Sequence, residues 1–134
     1  MKTPGTQVEI LYQLFNGSGL KTVTPGKITG DVYKVSRPNS QKEDIVIKSL
    51  SLVGQTKQFG SAVVNIWIPD KQLKERGVAD TKRIDVLSAL AVELLSTTIS
   101  PDYNITIANQ LVIDEQDLKY HYYSITVNFE FFNL

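Results

Sequence analysis

Cysteine is absent from this 134-residue chain, which excludes disulfides, thiolate catalysis and thiolate metal sites. Histidine occurs once, at His121, so a metal site built from several imidazoles is excluded too. No stretch reaches the ~20 apolar residues that a membrane-crossing helix needs. Neither sign of charge is in excess, since fourteen basic residues balance fourteen acidic ones. Attraction to nucleic acid begins with a basic surplus, so sequence-specific DNA or RNA binding is not expected. A chain near zero net charge instead tolerates packing against copies of itself. Met1-Lys2-Thr3-Pro4-Gly5 lacks the apolar stretch of a secretory leader, and synthesis in the cytoplasm is the expectation.

Catalytic spacing is missing as well. There is no G-x-S-x-G elbow, and the sequence shows no orienting partner for His121. Glu43-Asp44 and Asp114-Glu115 are paired acids, but neither has the spacing of a calcium loop, and both read as solvated turn residues. Gly17-Ser18-Gly19 is too short for a phosphate cradle and is explained by a helix-ending loop. The expectation is a protein without catalytic residues, metal or cofactor. An enzyme whose site is assembled from scattered polar residues stays open as a third reading.

What is present is a set of periodic segments. Ordinary values of 42% hydrophobic and 21% charged residues and a length of 134 predict one domain over residues 1–134. The clearest pattern runs from Lys119 to Phe131. Tyr123, Ile125, Val127, Phe129 and Phe131 alternate with Tyr122, Ser124, Thr126, Asn128 and Glu130, and a period of two places each set on its own face of a long strand. Upstream, Val8, Leu11, Tyr12 and Phe15 fall at helical spacing, with Thr6 and Glu9 as a capping box and Gly17 as a left-handed stop. Thr24-Pro25-Gly26 predicts a turn, Lys27 to Val35 a strand, and Arg37 to Lys42 an exposed loop. Asp44 to Leu52 is a second strand with a bulge near Ser49, and Phe59 to Ile68 a third, stopped by Pro69-Asp70.

Lys71 to Ala79 reads as a charged connector, broken at Gly77, with room for one helical turn. Asp80 is the expected N-cap of the main helix, over Thr81 to Thr97, with Ile84, Leu87, Leu90, Ala91, Leu94 and Leu95 as its apolar stripe. Tyr103 to Ile113 is a strand with Tyr103, Ile105, Ile107, Leu111 and Ile113 on one side. The turn Asp114-Glu115-Gln116-Asp117 leads from it into the final strand as a hairpin. The predicted fold is therefore α+β, in the order α-β-β-β-α-β-β: a mostly antiparallel sheet of about five strands with two helices on one face.

The opposite sheet face then carries Asn65, Trp67, Tyr120, Tyr122, Thr126 and Asn128. It is too mixed for a second core and suits a subunit contact. Tryptophan and tyrosine fit that role because they offer large apolar area with a polar handle. Two other readings remain open here: Tyr120, Tyr122 and Tyr123 as a base-stacking platform, and Trp67 as a minor core beneath the 71–79 connector.

The segments "GDVYK", "SRPNSQKED", "IVIKSLSL", "SAVVNIWIPD", "DTKRIDVLSALAVELL" and "YNITIANQLVIDEQDLKYHYYSITVNFEFF" follow one another in an order that resembles the small tail-completion proteins of tailed bacteriophages and prophages. These comprise tail terminators and the related head–tail joining proteins. The resemblance lies in element order and hydrophobic texture over most of the chain, with a longer connector at 71–79. It implies a virion component assembled in the bacterial cytoplasm, without catalytic residues. It also implies a homo-oligomeric ring, commonly a hexamer, that ends tail-tube growth and docks tail-tube or head-connector proteins. The alternative is a small ligand-binding or adaptor module using the same sheet face.

Overall fold

A computed structural model of the chain describes residues 1–23, 26–73, 76–115 and 118–132. The expected turn residues Thr24, Pro25, Gln116 and Asp117 lie outside the described residues. In chain order the elements are α1 (Pro4–Asn16), α2 (Gly19–Thr22), β1 (Val32–Lys34), β2 (Asp44–Val53), β3 (Lys57–Pro69), β4 (Lys71–Leu73), β5 (Arg76–Val78), α3 (Thr81–Thr97), β6 (Tyr103–Glu115) and β7 (Tyr120–Phe132). Five strands form one sheet in the order β1-β2-β3-β7-β6, and β4 and β5 form a separate small ribbon. The class is α+β, as expected. The sheet is mixed, since β1 runs parallel to β2 while the other three pairings are antiparallel, which is compatible with the expected mostly antiparallel sheet.

α1 starts one turn earlier than the Thr6–Glu9 box predicts. Pro4 has no N–H to lose and its φ suits a first helical turn, so Thr3 is the cap and its backbone N–H donates to Thr6 Oγ1 (3.1 Å). Glu9 is freed to accept from Lys34 of β1. Gly17 ends the helix at φ −93°, not in the expected left-handed form. Its N–H still closes the turn onto Gln13 O, and Ser18 Oγ donates to Phe15 O. α3 spans its expected range, with the Asp80 carboxylate accepting from Arg83 N–H.

The core lies between the sheet and the helices. Leu11 and Phe15 of α1, Leu20 of α2 and Leu87, Ala91 and Leu95 of α3 meet Ile45, Ile47, Val64, Ile66, Ile125 and Val127 of the sheet. All of these are essentially inaccessible to water, and each large aliphatic chain so buried contributes about 1.5–3 kcal/mol. The bulge expected near Ser49 is present as a register shift between Ser49 and Ser51. Gln7, fully buried, donates through Nε2 to Ser49 Oγ (2.8 Å) and Ser51 O (3.0 Å). Its carboxamide occupies the space left by Gly60, where a Cβ would sit 1.9 Å from Gln7 Oε1.

Three expectations fail for identifiable reasons. The first strand is only Val32–Lys34, because residues 29 and 30 bond to Glu43 through Thr29 Oγ1, Glu43 Oε1 and Gly30 N–H rather than through a continuous ladder. The 71–79 connector holds the β4–β5 ribbon instead of a helical turn, with Gly77 inside β5. β6 changes register between Ile107 and Asn109, which reverses the parity of its second half. Leu111 and Ile113 therefore share the face of Ser124 and Tyr122, while Gln110 turns to the helix side and accepts from Tyr123 Oη (2.6 Å). Burial pushes the Tyr123 hydroxyl up to about 12.

Val35 leaves β1 with φ 70°, a conformation that a β-branched residue adopts only under strain. The bond from Ser36 N–H to Lys34 O (2.8 Å) closes this tight turn. Val35 is exposed, so its side chain offers little packing in return. Val35→Gly is expected to raise folding stability by about 1 kcal/mol, the relief of strain exceeding the added backbone entropy. Urea unfolding would read this as a higher midpoint at unchanged slope.

Candidate functional site

Because side chains alternate along a strand, the face opposite the helices is defined by the β3–β7 register. Trp67 pairs with Tyr122, Asn65 with Ser124, Val63 with Thr126 and Ser61 with Asn128. The expected residues Asn65, Trp67, Tyr122, Thr126 and Asn128 therefore share one surface that no helix covers. Trp67 stacks on Tyr122 with ring centres 4.5 Å apart. Asn65 Oδ1 is buried there and has no hydrogen-bond partner among the described residues. Asn128 lines a groove with Phe59, Asn104, Thr106 and Glu130 at the far end of the face.

Tyr120 departs from this grouping. It is 2% exposed, because residues 36–43 fold over this end of the sheet. Its hydroxyl points at the carbonyls of Ser40 (2.8 Å) and Lys42 (2.9 Å). Burial raises its pKa, opposed by the Arg37 guanidinium. Arg37 lies 4.4 Å from the Trp67 ring centre and 4.8 Å from that of Tyr120, and its Nη1 donates to Asp44 Oδ2 at 2.8 Å. Trp67 thus has a small cluster of its own, beneath the 36–43 loop.

The acids Glu43 and Asp44, expected as solvated turn residues, are buried. Each is retained by an arginine. Asp44 takes Arg37, and Glu43 takes a bidentate pair from Arg83 of α3, Nε to Oε2 at 2.6 Å and Nη2 to Oε1 at 2.9 Å. The carboxylate raises the Arg83 pKa further above its ordinary value. The loop is therefore tied to the helix on one side of the sheet and to the aromatic rings on the other. Arg37 was not legible as a site residue. The only signal was that Trp67 and Tyr122 on a polar face need some cover.

At the same end of the sheet, on the other face, His121 sits between two carboxylates. Nδ1 is 2.6 Å from Asp70 Oδ1, and Nε2 is 3.5 Å from Asp114 Oδ1. Asp70 follows the stop at Pro69, and Asp114 is the cross-strand partner of His121. An orienting partner, invisible in the sequence, is thus supplied by the register. In a nucleophilic triad the second ring nitrogen faces a hydroxyl; here it faces Asp114.

β6 forms one edge of the sheet and β1 the other. Leu111 and Val112 of β6 are more than half exposed, as is Val53; Phe59 is half exposed. No family model matches the chain, and no curated protein matches its sequence.

Proposed function

We propose that this protein is a non-enzymatic structural component of a phage or prophage particle, forming a ring at the tail end or head–tail junction. The reading rests on the order of elements and on one observation, the long edge strand β6, whose one interruption is the bulge between Ile107 and Asn109. A sheet edge presents unpaired N–H and C=O groups, and monomeric proteins blunt it with lysine, proline, bulges or a covering layer. The thirteen residues of β6, YNITIANQLVIDE, contain no lysine, arginine or proline. Its outer half instead shows Leu111 and Val112 to solvent. Such an edge suits pairing with a neighbouring chain.

The opposite edge, β1, is three residues long. Contact of β6 with a different patch of its neighbour repeats by rotation until a ring closes, whereas β6 paired with a second β6 would stop at a two-fold dimer. The part of the sheet face opposite the helices that the 36–43 loop leaves open, with Thr126 and Asn128, extends the contact. The expected result by light scattering is a discrete ring-sized oligomer. Leu111→Lys with Val112→Lys should shift it to a monomer that keeps the wild-type circular dichroism spectrum and melts lower by whatever the assembly contributed. A wild-type chain that stays monomeric at every concentration and does not bind tail tubes overturns the reading in favour of an adaptor module.

A further inference from the structure

We propose that His121 and Asp114 bind a divalent transition-metal cation of the zinc class, with Asp70 holding the imidazole from behind. Asp70 is an almost fully buried carboxylate, its side chain 5% exposed. Its separation of 2.6 Å from Nδ1 is that of a charge-assisted hydrogen bond, which assigns a proton to Nδ1. The other ring nitrogen, Nε2, faces Asp114 Oδ1.

The separation of Nε2 from Asp114 Oδ1 is held at 3.5 Å, which an ion pair also allows when the ring is charged. It is right for a shared metal: two donors each about 2.0–2.1 Å from one ion and this far apart subtend roughly 115°, close to the tetrahedral angle. The buried carboxylate on the far nitrogen is the usual support for a metal-bound histidine, since it sets the tautomer and raises the basicity of the ligating nitrogen. The donor atoms of Asp70, Asp114 and His121 all lie within 4.8 Å of one another.

The support is built into the backbone. Asp70 N–H donates to Lys119 O (3.0 Å), which ties the end of β3 to the turn entering β7. Asp114 is 40% exposed on its side chain, so water can enter and complete the coordination. A bound ion would clip β6 to β7 beside the end of β3. This inference does not depend on the ring reading above.

The test uses the full chain, stripped by a chelator and then titrated. Co²⁺ is followed by its visible d–d absorption and Zn²⁺ by calorimetry. The wild type should bind one ion with the intense band of a tetrahedral site. Asp114→Asn, an exposed change that leaves folding intact, and His121→Ala should each bind at least about tenfold more weakly; Asp70→Asn should weaken binding by about tenfold while keeping the band. No band and no heat from the wild type at millimolar metal, or wild-type binding by Asp114→Asn, overturns the proposal.

Discussion

Arg37→Ala is expected to cost about 3 kcal/mol or more of folding stability, because it leaves a buried carboxylate without its counter-charge. Asp44 is wholly inaccessible to water. Once the guanidinium is gone, Asp31 N–H at 3.2 Å is a poor substitute for it. The same substitution removes a cation held over both Trp67 and Tyr120, worth roughly a further 1 kcal/mol at a partly desolvated site. Arg37→Lys should recover only part of the loss, since an ammonium keeps the charge but not the flat stacking surface. Trp67 is the only tryptophan, so its fluorescence reports this cluster directly. Chemical unfolding should show the lower stability, and acrylamide should quench Trp67 more readily in Arg37→Ala before unfolding begins. Unchanged quenching with unchanged stability would mean that the loop holds without the arginine.

The second large effect is expected on the helix side. Arg83→Ala strips Glu43 of both guanidinium bonds, leaving Thr29 N–H at 3.2 Å, while that carboxylate stays about nine-tenths buried, and a loss of roughly 3 kcal/mol follows. Arg83 also donates through Nη2 to Lys27 O (2.8 Å), so the segment before β1 loosens with it. The double variant Arg83→Leu with Glu43→Leu removes both charges together. It should be less destabilised than Arg83→Ala alone, because no charge is then left buried and unpaired. Thermal unfolding of the wild type, Arg83→Leu, Glu43→Leu and the double variant measures the coupling. If the double variant were as unstable as the sum of its parts, the pair would not be acting as a unit.

Elements with long periodic patterns were legible in the sequence. β7 shows a period of two over more than ten residues, and α3 has both an apolar stripe and an aspartate cap; each occupies nearly its expected range. Those signals are local, because they follow from how side chains repeat along one element. β1 was overestimated because residues 27–31 are extended without being laddered, and extension alone does not distinguish the two. In β6 the residues Leu111 and Ile113 continue the apolar parity of Tyr103, so nothing in the pattern disclosed a register shift near Ala108.

The sequence by itself determined the α+β class, the stop at Pro69, the extent of α3 and the polar face of β7, because periodicity, caps and chain breakers act within a few residues. Only the tertiary structure decided what surrounds the polar and charged groups. Glu43 and Asp44 look like solvent-facing acids until an arginine 40 positions downstream and one in the crossing loop close over them. Asp70, Asp114 and His121 have no motif spacing, and become neighbours through the register of three strands. The edge position of β6 is likewise a property of strand order, which no local pattern encodes. Contacts between distant segments depend on how the elements pack, and that information resides in the assembled fold.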